Sequence, residues 1–228
     1  MIPRGVPWAA ALLAVVASWT GARLYLHHAA VQRGVPVPAG EASAPNPGEL
    51  TAQPEAPPAQ IPERLPNFAL DDLAGKPTAI GAWAGRSLVI NFWATWCAPC
   101  RREIPLLAAL HAEWTGRDVA VIGIAVDHRD QVAAFAERFK IPYPLLIGEQ
   151  DALDVAGKLG VASPVFPFTV FTDRRGRIVA LYLGELHKAQ ADLILGVVER
   201  LNEDRLPLAD ARRAITEGLN ALQAKIPG

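Results

Sequence analysis

The sequence predicts an α/β protein with a mixed central sheet, on three observations. From Leu65 onward, segments of strand length alternate with segments of helical periodicity. Two of the strand segments, SLVINFWA at 87–94 and DVAVIGIAV at 118–126, are continuous apolar runs, the pattern of strands covered on both faces. Further on, FTVFTD and RIVALYLG flank Arg174-Arg175-Gly176, which reads as a hairpin and adds antiparallel pairing to the sheet.

Taken in order, the chain opens with residues 1–26, which stand apart from the fold. Residues 6–22 are apolar apart from Ser18 and Thr20. Carried on to Leu26, with Arg23 snorkelling, the segment spans roughly 30 Å as a helix. That length fits a membrane anchor. A cleaved signal peptide is the alternative, since Val15-Val16-Ala17 and Thr20-Gly21-Ala22 offer small residues for a cut. Arg4 precedes the segment while Arg23 and Arg33 follow it, so charge counting alone does not favour export. Residues 27–63 are a linker, rich in Pro, Ala, Glu and Gln between 35 and 62, with little to bury. A folded domain is expected over 64–203. Two short strands surround the turn at Asp71-Asp72-Leu73-Ala74-Gly75, and the strand 87–94 follows. A helix from Ala98 to Trp114 repeats Leu106, Leu107, Leu110 and Trp114 at helical spacing. After the strand 118–126 come a helix at 131–139, a short one at 151–160 ending on Gly160, and the hairpin. Helices at about 188–202 and 207–224 close the chain, the latter forming a C-terminal helical extension over 204–228.

Composition narrows the function. The net charge is −1 with both signs interspersed, which leaves no footprint for nucleic acid. Two cysteines are too few for a disulfide-stapled secreted scaffold. They sit three apart in WATWCAPCRRE, residues 93–103, where a buried strand gives way to a helix. Free N–H groups and the helix dipole there favour a Cys97 thiolate, and Cys100 lies one turn further in. This gives an exposed, acidic attacking thiol and a sheltered resolving one. Pro99 supports the turn, because proline in a first helical turn forfeits no hydrogen bond. A CxxC can also be half of a metal site, but His111 lies about 16 Å along the same helix and cannot share the ion. His27, His28, His128 and His187 show no ligand or base spacing. Disulfide exchange is the chemistry this setting supports best.

The run VINFWATWCAPCRREIPLL resembles the active-site strand and helix of thioredoxins, and specifically of the membrane-anchored TlpA/ResA-type thiol–disulfide reductases. The likeness covers roughly residues 64–203. It implies a thioredoxin fold, an exported domain facing the periplasm from the inner membrane, and a reductant role, with cytochrome c maturation as one setting. It also implies disulfide-containing exported clients and a membrane thiol reductant as electron donor. The bilayer would be engaged through the N-terminal helix. No cofactor is expected, since no flavin or nicotinamide motif is present. Trp96 and Pro99 flank the cysteines at the site surface, Trp93 is a candidate for core or site, and Pro105 lies where such helices kink. Arg101 and Arg102 either lower the Cys97 pKa or form a solvated face.

Two departures from the family pattern matter. The buried Asp usual six residues before the first cysteine is Asn91, so proton traffic to Cys100 falls to Glu103, where the ResA-like branch carries a functional Glu. The cis-proline opposite the cysteines fits Pro167, after Phe166, with Pro164 as a weaker rival; Phe168 stands where Thr is usual. The expected site is therefore Cys97, Cys100 and Glu103 for chemistry, with Trp96, Pro99, Phe166 and Pro167 for the client. A disulfide oxidase using the same pair and a copper-binding chaperone are the alternatives. A peroxidase is disfavoured, because the Pro and Thr expected ahead of a lone reactive Cys are absent.

Overall fold

The computed structural model describes residues 61–161 and 163–225. The segments read above as anchor and linker lie outside these residues, apart from the linker's last three positions. Among the described residues, no helix is long and apolar enough to cross a membrane.

Seven strands form one sheet: β1 (Ala69–Asp72), β2 (Pro77–Ala79), β3 (Ser87–Trp93), β4 (Val119–Val126), β5 (Leu145–Gly148), β6 (Phe168–Thr172) and β7 (Ile178–Leu183). Their spatial order is β2-β1-β5-β4-β3-β6-β7. β3, β4 and β5 are parallel, while β1, β2, β6 and β7 pair antiparallel, so the sheet is mixed. Helices α1 (Ala98–Trp114), α2 (Arg129–Phe139), α3 (Gln150–Lys158), α4 (Lys188–Asn202) and α5 (Leu208–Gln223) complete the order. This is a thioredoxin-like α/β arrangement with one added C-terminal helix.

Local chemistry sets the turns. Asp72 Oδ1 accepts the N–H groups of Ala74 and Lys76, both at 2.9 Å, and Gly75 takes the positive φ that the β1–β2 turn demands. Asp173 Oδ1 closes the β6–β7 hairpin in the same way, through Arg175 and Arg177. β5 is absent from the sequence reading. Its apolar run is three residues long and follows Pro142 and Pro144, too short to show a period; pairing with β1 and β4 makes it a strand.

Every residue of β3 is buried, because the two faces of the sheet carry separate cores. Strand alternation sends Leu88, Ile90 and Phe92 to one face, where Phe92 stacks on Phe168 at 4.3 Å between centroids. Val89 and Trp93 go to the other face, under α1, with Leu107, Val121, Ile194 and Leu201. Asn91 lies between them in the alternation, so a polar side chain is delivered into the core beneath the helix that carries both cysteines.

Candidate active site

α1 begins where β3 leaves the sheet. Cys97 is its N-cap, with extended backbone; Pro99 occupies its first turn, and the Cys97 N–H donates to Ala94 O at 3.2 Å. Cys97 and Cys100 are joined by a disulfide, with Cα atoms 5.3 Å apart, and Cys97 Sγ accepts the Cys100 N–H at 3.2 Å. A sulfur at this position faces the free N–H end of a seventeen-residue helix, a setting that favours negative charge once the bond is reduced. The sequence reading makes Cys97 exposed. In the disulfide form it keeps only 5% of its surface and belongs to the apolar core, while Cys100 keeps none. The asymmetry survives on a smaller scale: a client can touch Cys97 and not Cys100.

Glu103 is the unusual group. It lies on α1 one turn past Cys100, and only 1% of it is exposed. Asn91 Nδ2 donates to its Oε1 at 2.7 Å, and the Leu186 backbone N–H donates to its Oε2 at 2.7 Å. Burial pushes the Glu103 carboxyl up to about 7; the two hydrogen bonds pull it back, and the nearby charge of Glu185 adds to the rise. A carboxyl poised near neutrality can accept and return a proton at working pH. Asn91 also donates to Thr169 Oγ1 at 3.0 Å, so this residue, which cannot titrate, serves as a positioning group. Burial and the Glu103 charge likewise push the Tyr143 and Tyr182 phenols up.

Two supports of Glu103 have no signature in the sequence. Leu186 contributes through its backbone, to which no side-chain pattern points. Arg102 donates from Nε to both oxygens of Glu185, at 3.1 and 2.9 Å, and this pins the loop that presents the Leu186 N–H. The hydrogen bond from Arg102 holds the Glu185 carboxyl low. Arg101 is exposed.

At the surface, Trp96 is 67% exposed, whereas Trp93 is buried in the core. The Phe166–Pro167 peptide bond is cis and leads directly into β6, which pairs with β3 in the register Phe92 opposite Phe168. Phe166 meets Trp96 edge-on at 6.1 Å, which brings this turn beside the residue preceding Cys97. Phe168 is fully buried against Phe92, so the residue standing in place of the usual Thr serves the opposite core. Among the described residues, no group of three or more His, Cys, Asp or Glu could hold a metal ion.

Comparison with known proteins agrees with this geometry. Residues 61–181 match the family model described as AhpC/TSA family. The thiol-disulfide oxidoreductase ResA of Geobacillus thermodenitrificans is 32% identical over 124 residues, covering 54% of this chain and 69% of that protein. The thioredoxin-like protein YneN of Bacillus subtilis is 31% identical over 134 residues, covering 57% and 75%. Among solved structures, a secreted thiol-disulfide isomerase from Corynebacterium glutamicum superposes with a TM-score of 0.51 at 25% identity, covering 67% of this chain and 85% of that one.

Proposed function

Because this chain belongs to the AhpC/TSA family, as a ResA-like thiol–disulfide oxidoreductase of the thioredoxin superfamily with a Cys97–Cys100 pair, we propose that it works as a reductant of disulfides in exported proteins. The observation that carries the direction of attack is the surface left to Cys97 and denied to Cys100. In the reduced protein, the Cys97 thiolate attacks one sulfur of a client disulfide, and the client's other sulfur leaves as a thiolate. Cys100 gives its proton to Glu103 and attacks Cys97 Sγ, releasing the second client thiolate. Two electrons pass to the client, and the protein is left with the disulfide seen here. Trp96, Pro99, Phe166 and Pro167 form the docking edge, where the backbone of Phe166 pairs with an extended client segment.

Export is supported by the apolar segment 6–22 and by the likeness to the secreted thiol-disulfide isomerase of Corynebacterium glutamicum. On this reading the domain faces the periplasm, tethered to the inner membrane through residues 1–26 and the linker. A membrane thiol reductant supplies its electrons. Cytochrome c maturation is one pathway that needs such a reductant.

Replacing the resolving thiol tests the roles. Cys100→Ser should accumulate mixed disulfides with clients while Cys97→Ser should not; equal trapping by both would overturn the assignment. Equilibration with glutathione tests the direction, since a reductant should show a potential of about −270 mV or below and an oxidant one nearer about −120 mV.

A further inference from the structure

β3 and β4 run parallel with Trp93 opposite Ala125, and that register carried two residues on places Thr95 opposite Asp127. β3 has ended by then, since the chain must turn out of the sheet to start α1. The Thr95 N–H would be left without a strand partner. Asp127 supplies one: its Oδ2 accepts the Thr95 N–H at 3.1 Å and also the Thr95 hydroxyl. Its Oδ1 accepts the His128 N–H at 2.8 Å, at the N-cap of α2. Asp127 is a buried residue, at 7% exposure, and all three donors to its side chain are neutral.

We infer that Asp127 is a positioning residue for the redox pair, acting through Thr95 on the 94–97 turn. This deepens the thiol–disulfide reading above and rests on it. The turn is closed by the Cys97 N–H on Ala94 O, and Thr95 and Trp96 are its two inner residues. Holding Thr95 to the end of β4 therefore fixes where Cys97 caps α1, and so how its sulfur meets the free N–H groups of the first helical turn. It also fixes Trp96, and with it the edge contact to Phe166. Hydrogen bonds to a buried carboxylate are stronger than neutral ones, so the clamp is stiff. Asp127 touches neither sulfur and takes no part in bond making.

The test uses the full chain in three forms: Thr95→Val, which removes the hydroxyl; Thr95→Ser, which keeps it; and Asp127→Ala. Two quantities are read on the folded protein, the rate constant for reducing insulin disulfides and the equilibrium constant of the cysteine pair with glutathione. Loss of one charge-assisted bond predicts a rate about tenfold lower for Thr95→Val and lower still for Asp127→Ala. Their equilibria should move toward the disulfide, because a loosened turn supports the thiolate less well. Thr95→Ser should stay within about twofold of wild type on both measures, since it keeps the bond in question. If Asp127→Ala does not fold, the Thr95 pair decides alone. A Thr95→Val protein with wild-type rate and equilibrium would overturn the inference, as would one that melts earlier with its equilibrium unmoved. A wild-type protein that exchanges with neither insulin nor glutathione would instead overturn the thiol–disulfide reading, and this inference with it.

Discussion

Replacing Glu103 with Gln asks how large a burden the site places on the fold. In an unfolded chain a Glu titrates near 4.5, and here burial pushes it up to about 7. The native protein thus binds more protons than the unfolded one between those two values, and stability must fall as pH rises through that window. The displacement corresponds to at most about 3 kcal/mol, present as destabilisation above pH 7 and absent below pH 4.5. A glutamine side chain there would be neutral throughout and free of this slope. It carries a single oxygen, though, so it can satisfy either the Asn91 amide or the Leu186 N–H and must turn its own NH₂ toward the other. One unsatisfied buried donor costs about 1–3 kcal/mol at every pH. Glu103→Gln should therefore be less stable than wild type at pH 5 and equal to it, or better, at pH 8.5. Urea unfolding of the oxidised proteins measures this without interference from titrating thiols. A stability difference constant within about 0.5 kcal/mol between pH 5 and 8.5 would show that Glu103 titrates like a surface carboxylate, and its role as proton carrier would fall with it.

Three further expectations follow from other parts of the molecule. Arg102→Gln should leave Glu185 ionised but unpaired, so the pH at which Glu103 titrates should move upward; a difference titration by NMR of the Glu103 carboxyl reads this, and an unmoved midpoint would refute it. Gly123→Ala should destabilise by about 1–3 kcal/mol in urea, because its Cβ would stand 2.6 Å from Leu145 Cδ2 and 3.0 Å from Trp93 Nε1; wild-type stability would mean that β4 has slack there. A chain beginning at Ile61 should fold and reduce insulin disulfides in the presence of dithiothreitol, since both cores and the site are built from later residues; insolubility or inactivity, with the full chain active, would refute that boundary.

The parts of this fold legible in the sequence are those where local preference and burial agree. β4 is apolar throughout and β3 nearly so, and α1 is capped by a cysteine with proline in its first turn, so their bounds come within a residue of the expectation. β5 escapes because its strand character is conferred by neighbours on both sides. The site divides the same way. CxxC is a local signal, and the Phe166–Pro167 turn is marked by a proline abutting a strand. Glu103 is visible as a residue, but its burial depends on Asn91 and Leu186, twelve residues before it and 83 after. Asp127 reaches the site through the register of β3 and β4, and Leu186 through the loop that follows β7; neither relation lies within a single segment.

The C-terminal helix has a consequence for the solubility of the molecule. β7 is a terminal strand, and such strands offer unpaired backbone groups to any passing chain. Near its start this one is already occupied: the Ile178 N–H donates to Glu63 O at 2.9 Å, and the Arg212 guanidinium of α5 donates from Nε to Ile178 O at 3.1 Å. Ile215 is buried on the same helix, with Leu219 packed beside it. A second copy therefore cannot add its own strand at that point without first displacing both an N-terminal stretch and a helix. α5 acts as a guard on the rim of the sheet, opposing self-association through that edge.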